Sequence, residues 1–181
     1  MESGENKKMT LDEAEKFYKT YAGNTFHMYR DETELYRNFE SLNIPVDVLK
    51  KWNQEIIENL FNTLWDKKVN VFYTFMQLFD AIKKDKNNLN KNVLLFLKEI
   101  EKCVDLDYKQ RTIIIKNFAG GTPSLEDGYC YFICKRTPYQ ELMNDVVTKL
   151  MDFTCVDDDE QEKYRLMAVD KYERAYKKFG K

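Results

Sequence analysis

The sequence predicts an all-α fold, a compact bundle of about eight helices. Three observations carry that expectation. Apolar residues recur at helical spacing through most of the 181 positions. Only six glycines and three prolines punctuate them, fewer than a chain of many short strands uses. Helix caps also stand at several of the starts and stops that the apolar spacing sets.

Thr10-Leu11-Asp12-Glu13 is a capping box, in which the hydroxyl and the carboxylate serve each other's free backbone N–H groups. Leu11, Ala14, Phe17, Tyr18 and Tyr21 follow at helical spacing, and Gly23 supplies a C-cap. Residues 24–30 (NTFHMYR) read as a connection. A second helix runs from Asp31 to Leu42, with Leu35, Tyr36, Phe39 and Leu42 on one side. Pro45 suits the first turn of a third, where its missing N–H is harmless. That helix buries Leu49, Trp52, Ile56, Leu60, Leu64 and Trp65.

Residues 69–83 (VNVFYTFMQLFDAIK) are apolar on most sides, which suits a central helix or one facing a partner. Residues 83–92 (KKDKNNLNKN) are the most polar stretch. A single domain over 1–181 is expected, with these ten residues as the candidate division into two lobes. Val93 to Val104 forms the next helix, and Asp107 caps one ending near Phe118. Thr137-Pro138 reads as an N-cap followed by proline at the first helical position. Asp157 to Glu160 opens the last helix and Lys177-Lys178 closes it, charges that complement the helix dipole.

One region admits a different fold. Thr112 to Ile115 and Tyr129 to Ile133 have strand composition, so an α+β chain with a small β-hairpin near 112–134 is the alternative.

Twelve Phe, twelve Tyr and two Trp bring the aromatics to 14%, enough large rings for a sizeable core. The formal charge is −2, and residues 1–90 and 91–181 hardly differ in it. No basic tail or stripe stands out, and Lys outnumbers Arg 23 to 6, so nucleic acid is an unlikely partner. A Lys- and Asn-rich chain points to AT-rich coding and a bacterial source. The first residues, MESGENKKMT, lack the apolar core of a signal peptide, and no apolar run is long enough to span a membrane. The four cysteines lie among apolar neighbours, as reduced thiols of a cytoplasmic protein do.

The motifs exclude several chemistries. His27 is the only histidine, so a two-histidine metal motif cannot exist. Cys130 and Cys134 would stand about 6 Å apart on a helix and about 13 Å apart on a strand. Neither spacing makes a zinc pair of the usual kind, and no metal is expected. The segment GGTPS, residues 120–124, lacks the lysine of a phosphate-binding loop, and no cofactor is expected. Residues 157–160 lack the calcium-loop pattern.

The leading functional expectation is a non-catalytic interaction module in the cytoplasm, binding another protein or a second copy of itself. Its candidate binding residues are His27, Tyr29, Arg30, Tyr129 and Tyr131, where aromatic rings flank polar or charged groups. One alternative is a DNA-binding regulator using residues 36–52, which resemble a helix-turn-helix in outline. Phe39 at the tight crossing, and no Arg, Gln or Asn in the first turn of the second helix, weigh against it. The other is an enzyme using carboxylates or His27.

Overall fold

The computed structural model describes residues 8–66, 68, 70–121, 124–155 and 158–180. Among them are ten α-helices, two short 3-10 turns and no strand. The chain divides into two compact units, residues 1–87 and 88–181, with the division inside the polar stretch 83–92.

The first unit holds α1 (Leu11–Thr20), α2 (Thr25–Asp31), α3 (Thr33–Ser41), α4 (Val46–Thr63) and α5 (Val71–Lys84). α1 packs on α4, α4 on α5, and α2 on α3. Thr10 closes the capping box in full: the Glu13 N–H donates to its hydroxyl at 3.2 Å, and its own N–H donates to the Glu13 carboxylate at 2.8 Å. The core is built from rings. Tyr18 stacks on Phe39 with centroids 5.9 Å apart and tilts against Trp52 at 5.8 Å. Phe75, Leu78, Phe79 and Ile82 of α5 are fully buried. Each such side chain contributes about 1.5–3 kcal/mol by leaving water.

Behind α1 the chain turns sharply through Ala22 (φ 47°) and Gly23 (φ 69°). A Cβ on Gly23 would lie 2.7 Å from the Tyr18 ring, so glycine serves both the turn and the packing here.

The second unit holds α6 (Leu89–Glu101), a 3-10 turn (Lys102–Asp105), α7 (Tyr108–Ala119), a second 3-10 turn (Leu125–Asp127), α8 (Tyr129–Arg136), α9 (Gln140–Met151) and α10 (Asp159–Phe179). α10 packs on α7 and α8, and α9 packs on α6, α7 and α8. Asp107 caps α7 by accepting from the Gln110 N–H at 3.0 Å. Gly120 ends α7 with φ 101°, and Lys171 of α10 donates to the carbonyls of Gly120 and Gly121, each at 2.6 Å.

The hairpin alternative is overturned. Both segments with strand composition are helical, as α7 and α8. α8 buries Tyr129, Cys130, Ile133 and Cys134, a helical rather than an alternating pattern. Tertiary packing therefore outweighs the weak β preference of its aromatic and branched residues.

The helix count also rises, from about eight to ten. α8 is one addition. The other is α2, in the segment expected to be a connection. It buries Met28 alone, so it carries no apolar stripe to announce it.

Two expected caps move. Pro45 sits at the N-cap of α4, not within its first turn, and its carbonyl accepts from the Leu49 N–H at 3.1 Å. Thr137 closes α8 instead of opening α9. Its hydroxyl donates to the Ile133 carbonyl at 2.9 Å, and α9 starts only at Gln140. Pro138 holds Thr137 extended and delays the next helix. Asp158 caps α10 by accepting from the Gln161 N–H at 3.1 Å; Asp157 lies outside the described residues. Leu11, Leu35 and Trp65, expected on buried faces, are exposed, whereas Phe96 and Met143 are fully buried.

The entry to α10 carries an acid-sensitive group. Arg165 donates to both oxygens of Glu162, at 2.6 and 2.8 Å, and the Cys155 N–H donates to Oε2 at 3.1 Å. Chiefly through Arg165, the Glu162 carboxyl is held down at about 2. A carboxyl depressed on folding stabilises above its unfolded pKa of about 4.3, and that stability disappears as pH falls through the folded value. The native protein is therefore expected to exceed Glu162→Gln in stability at neutral pH. The gap should close between pH about 4.3 and about 2, as read by urea midpoints at each pH. A gap independent of pH would show that the carboxylate charge contributes nothing.

Candidate functional site

α2 is set by its cap. The Asn24 side chain accepts from the His27 N–H at 3.1 Å, which starts a helix immediately after the Ala22-Gly23 turn. α2 buries Met28, leaves His27 half-buried and exposes the rest of its side chains. Phe26 is 67% exposed and Tyr29 51%. α5 adds Tyr73, 49% exposed, and Met76, 37%. His27, Tyr73, Met76 and Asp80 line a recess of about 30 Å³. That is room for one water-sized group, so this face is a dimpled surface rather than a substrate pocket.

The exposed rings are held in place. Tyr29 meets Tyr36 edge-on at 5.7 Å, and Tyr36 stacks on the buried Phe39 at 6.4 Å. Phe26 tilts against His27 at 5.8 Å. Arg30 donates Nε and Nη2 to the two oxygens of Asp31, at 2.5 and 3.0 Å. That fork holds the Asp31 carboxyl below the usual carboxylate range and largely neutralises the local charge.

Of the residues singled out in sequence, His27, Tyr29 and Arg30 thus share α2. Tyr129 and Tyr131 share α8, in the other unit. Tyr129 is buried, its ring edge-on to Phe96 at 5.6 Å and to Phe118 at 5.3 Å. Tyr131 is half-buried and meets Phe179 at 4.9 Å.

Cys130 and Cys134 lie four apart on α8 and are both buried. A hydrogen bond with the Cys134 sulfur, then burial, hold the free Cys130 thiol well above the ordinary thiol range. Among the described residues no group of three or more His, Cys, Asp or Glu stands close enough to hold a metal ion. In the GGTPS segment Gly120 and Gly121 follow the end of α7, and Ser124 caps the 3-10 turn by accepting from the Glu126 N–H at 3.0 Å. Thr122 and Pro123 lie outside the described residues. In the segment 36–52, α3 and α4 are joined through Asn43 at φ 47°, with Lys50 and Lys51 exposed.

A second feature of the first unit was not foreseen. α1, α4 and the end of α5 enclose a cleft of about 350 Å³. Tyr18, Asn53 and Asp85 are its buried residues, beside the apolar Val46 and Leu49. Asn53 is 4% exposed. Its Nδ2 donates to the Ala81 carbonyl at 3.0 Å and fixes the amide's orientation. Its Oδ1 is the buried side-chain polar atom with no hydrogen-bond partner among the described residues. Leaving such an acceptor unsatisfied costs about 1–3 kcal/mol.

At the rim, Lys84 is an exposed residue, but its ammonium donates to the Gly23 carbonyl. Burial of that end lowers the lysine pKa. The sequence held one sign of this site: Asn53 is a polar residue on the buried face that Trp52 and Ile56 mark.

Comparison with known proteins finds no matching family model, curated protein or solved structure.

Proposed function

We propose that this protein is a non-catalytic interaction module of the cytoplasm, and that it binds a protein chain through the outer face of α2 and the adjoining part of α5. The observation that carries this reading is the exposure of Phe26 and Tyr29 on α2 and of Tyr73 and Met76 beside His27. Exposed single apolar residues are ordinary. Here Tyr73 and Met76 of α5 line the recess with His27, Phe26 of α2 tilts against that histidine, and Tyr29 is braced by Tyr36 against the core. Rigid rings lose little conformational freedom on binding, which is why aromatic anchors dominate interfaces.

Arg30 and Asp31 supply a pre-formed charged pair at the edge, suited to a polar rim. The buried thiols fit a reducing compartment; burial pushes Cys103 up to about 12, far from the reactive range.

Two measurements test the proposal together. Sedimentation velocity over a concentration series detects a second copy as partner. Photo-crosslinking in the source cells, from an analogue placed at position 26, detects a different protein. Phe26→Asp combined with Tyr73→Ser is expected to weaken whichever association is seen by about 10- to 100-fold, the loss typical of removing central anchors. A monomer at all concentrations together with no crosslinked product would remove the reading.

A further inference from the structure

We propose that the cleft between α1, α4 and α5 is a ligand site, and that its ligand is a small organic anion with an apolar ring body and one N–H or O–H donor.

Each part of that description follows from a residue. The donor is set by Asn53. Its Nδ2 is committed to the Ala81 carbonyl, so what it offers a ligand is the unpartnered Oδ1, an acceptor. A ligand group must therefore donate to it. The ring body is set by Tyr18, Val46 and Leu49, which give the cleft its apolar side. The negative charge is set by Lys50, Lys84 and Lys86, against one carboxylate, Asp85, among the described lining residues. Asp85 is itself buried and has an interaction partner already.

Lys84 is the cation placed to act, because it lines the cleft and its ammonium is held in place by the Gly23 carbonyl. An anion gives that ammonium a charged acceptor in place of a neutral one, and charge-assisted bonds are the stronger. A metal ion does not suit a cleft with three lysines. A volume of about 350 Å³ suits a one- or two-ring acid, being near the lower bound for small-molecule sites. The Asn53 oxygen is itself buried while Asn53 lines the cleft, so occupancy entails a shift of the lining side chains that opens the oxygen to the ligand.

This site lies apart from the α2 face proposed for protein binding, and it stands or falls without it. The test uses the whole protein and three related probes: indole-3-acetate, 1-methylindole-3-acetate, which lacks the N–H, and indole-3-acetamide, which lacks the carboxylate. Titration is followed by amide chemical shifts in two-dimensional NMR. Indole-3-acetate is expected to move the signals of Tyr18, Leu49, Asn53 and Ala81. The N-methyl probe should bind at least about tenfold more weakly, since it leaves the acceptor unmet. The acetamide should lose a similar factor, and added salt should narrow that difference.

Lys84→Met should reduce the affinity for the acid to that for the amide, and it touches only a rim residue, so folding should survive it. Asn53→Leu should erase the preference for N–H over N-methyl. Should Asn53→Leu fail to fold, the comparison of N–H and N-methyl probes on the native protein decides the same point. No shift at these residues with any probe at millimolar concentration would overturn the proposal. Equal binding of all three probes would overturn it as well.

Discussion

Gly128→Ala is expected to destabilise the second unit by about 3 kcal/mol or more, the range of severe overpacking with no soft neighbour to yield. Its backbone angles, φ −78° and ψ 159°, suit any residue. The constraint is space. A Cβ there would lie 2.3 Å from the Gly120 nitrogen and 2.7 Å from the Ala119 carbonyl carbon, and both are backbone atoms. The chain end of α7 and the start of α8 thus cross at a distance only glycine permits. Gly121 provides the control, because a Cβ there meets nothing within 4 Å. Gly121→Ala should leave the urea midpoint within about 0.5 kcal/mol of the native protein. Equal stability of Gly128→Ala and Gly121→Ala would show that the two segments do not approach as described.

Arg111→Ala is expected to cost about 2–4 kcal/mol, with the loss confined to the second unit. Its guanidinium donates to four backbone carbonyls: Leu150 at 3.0 Å, Lys149 at 3.1 Å, Val104 at 3.3 Å and Asp152 at 3.4 Å. Three of these belong to the C-terminal end of α9, where carbonyls lack partners in the helix and the dipole favours a cation. The fourth, Val104, lies in the 3-10 turn after α6. One side chain therefore joins three elements, and it also lies over the Phe153 ring at 4.3 Å, with Arg165 over the same ring at 5.3 Å.

Burial lowers the arginine's pKa, yet a guanidinium keeps its charge at any ordinary pH. Arg111→Lys should recover little, since a single ammonium cannot reach that fan of acceptors. Thermal or urea unfolding of the three proteins measures the series. A lysine variant as stable as the native protein would mean that the charge matters and the fork does not.

What could be read from residues, and what could not, follows from where each signal resides. The capping box at Thr10-Glu13 and the Asp107 cap are local patterns, and the helices they start lie where they indicate. α2 has no such advantage. A seven-residue helix that buries one methionine leaves almost no periodic trace, although Asn24 is a fair N-cap in retrospect. α8 was ambiguous for the opposite reason: nearly every residue in YCYFIC suits either a strand or a buried helix, and only its neighbours decide.

Tyr129 looked like a surface aromatic because its partners, Phe96 and Phe118, come from α6 and α7. The Asn53 cleft was the least visible of all. The oxygen's isolation depends on what α1 and α5 bring next to α4, and no spacing within α4 encodes that.

The docking of α10 on α7 has a consequence for synthesis. Lys171 closes on Gly120 across 51 residues, and Tyr172, Ala175 and Phe179 fill space that α7 and α8 leave open. While a ribosome is still translating α10, the sides of α7 and α8 that it will dock on have no cover. They are open to chaperones, or to aggregation, until the Phe179 codon is past and its residue clears the exit tunnel.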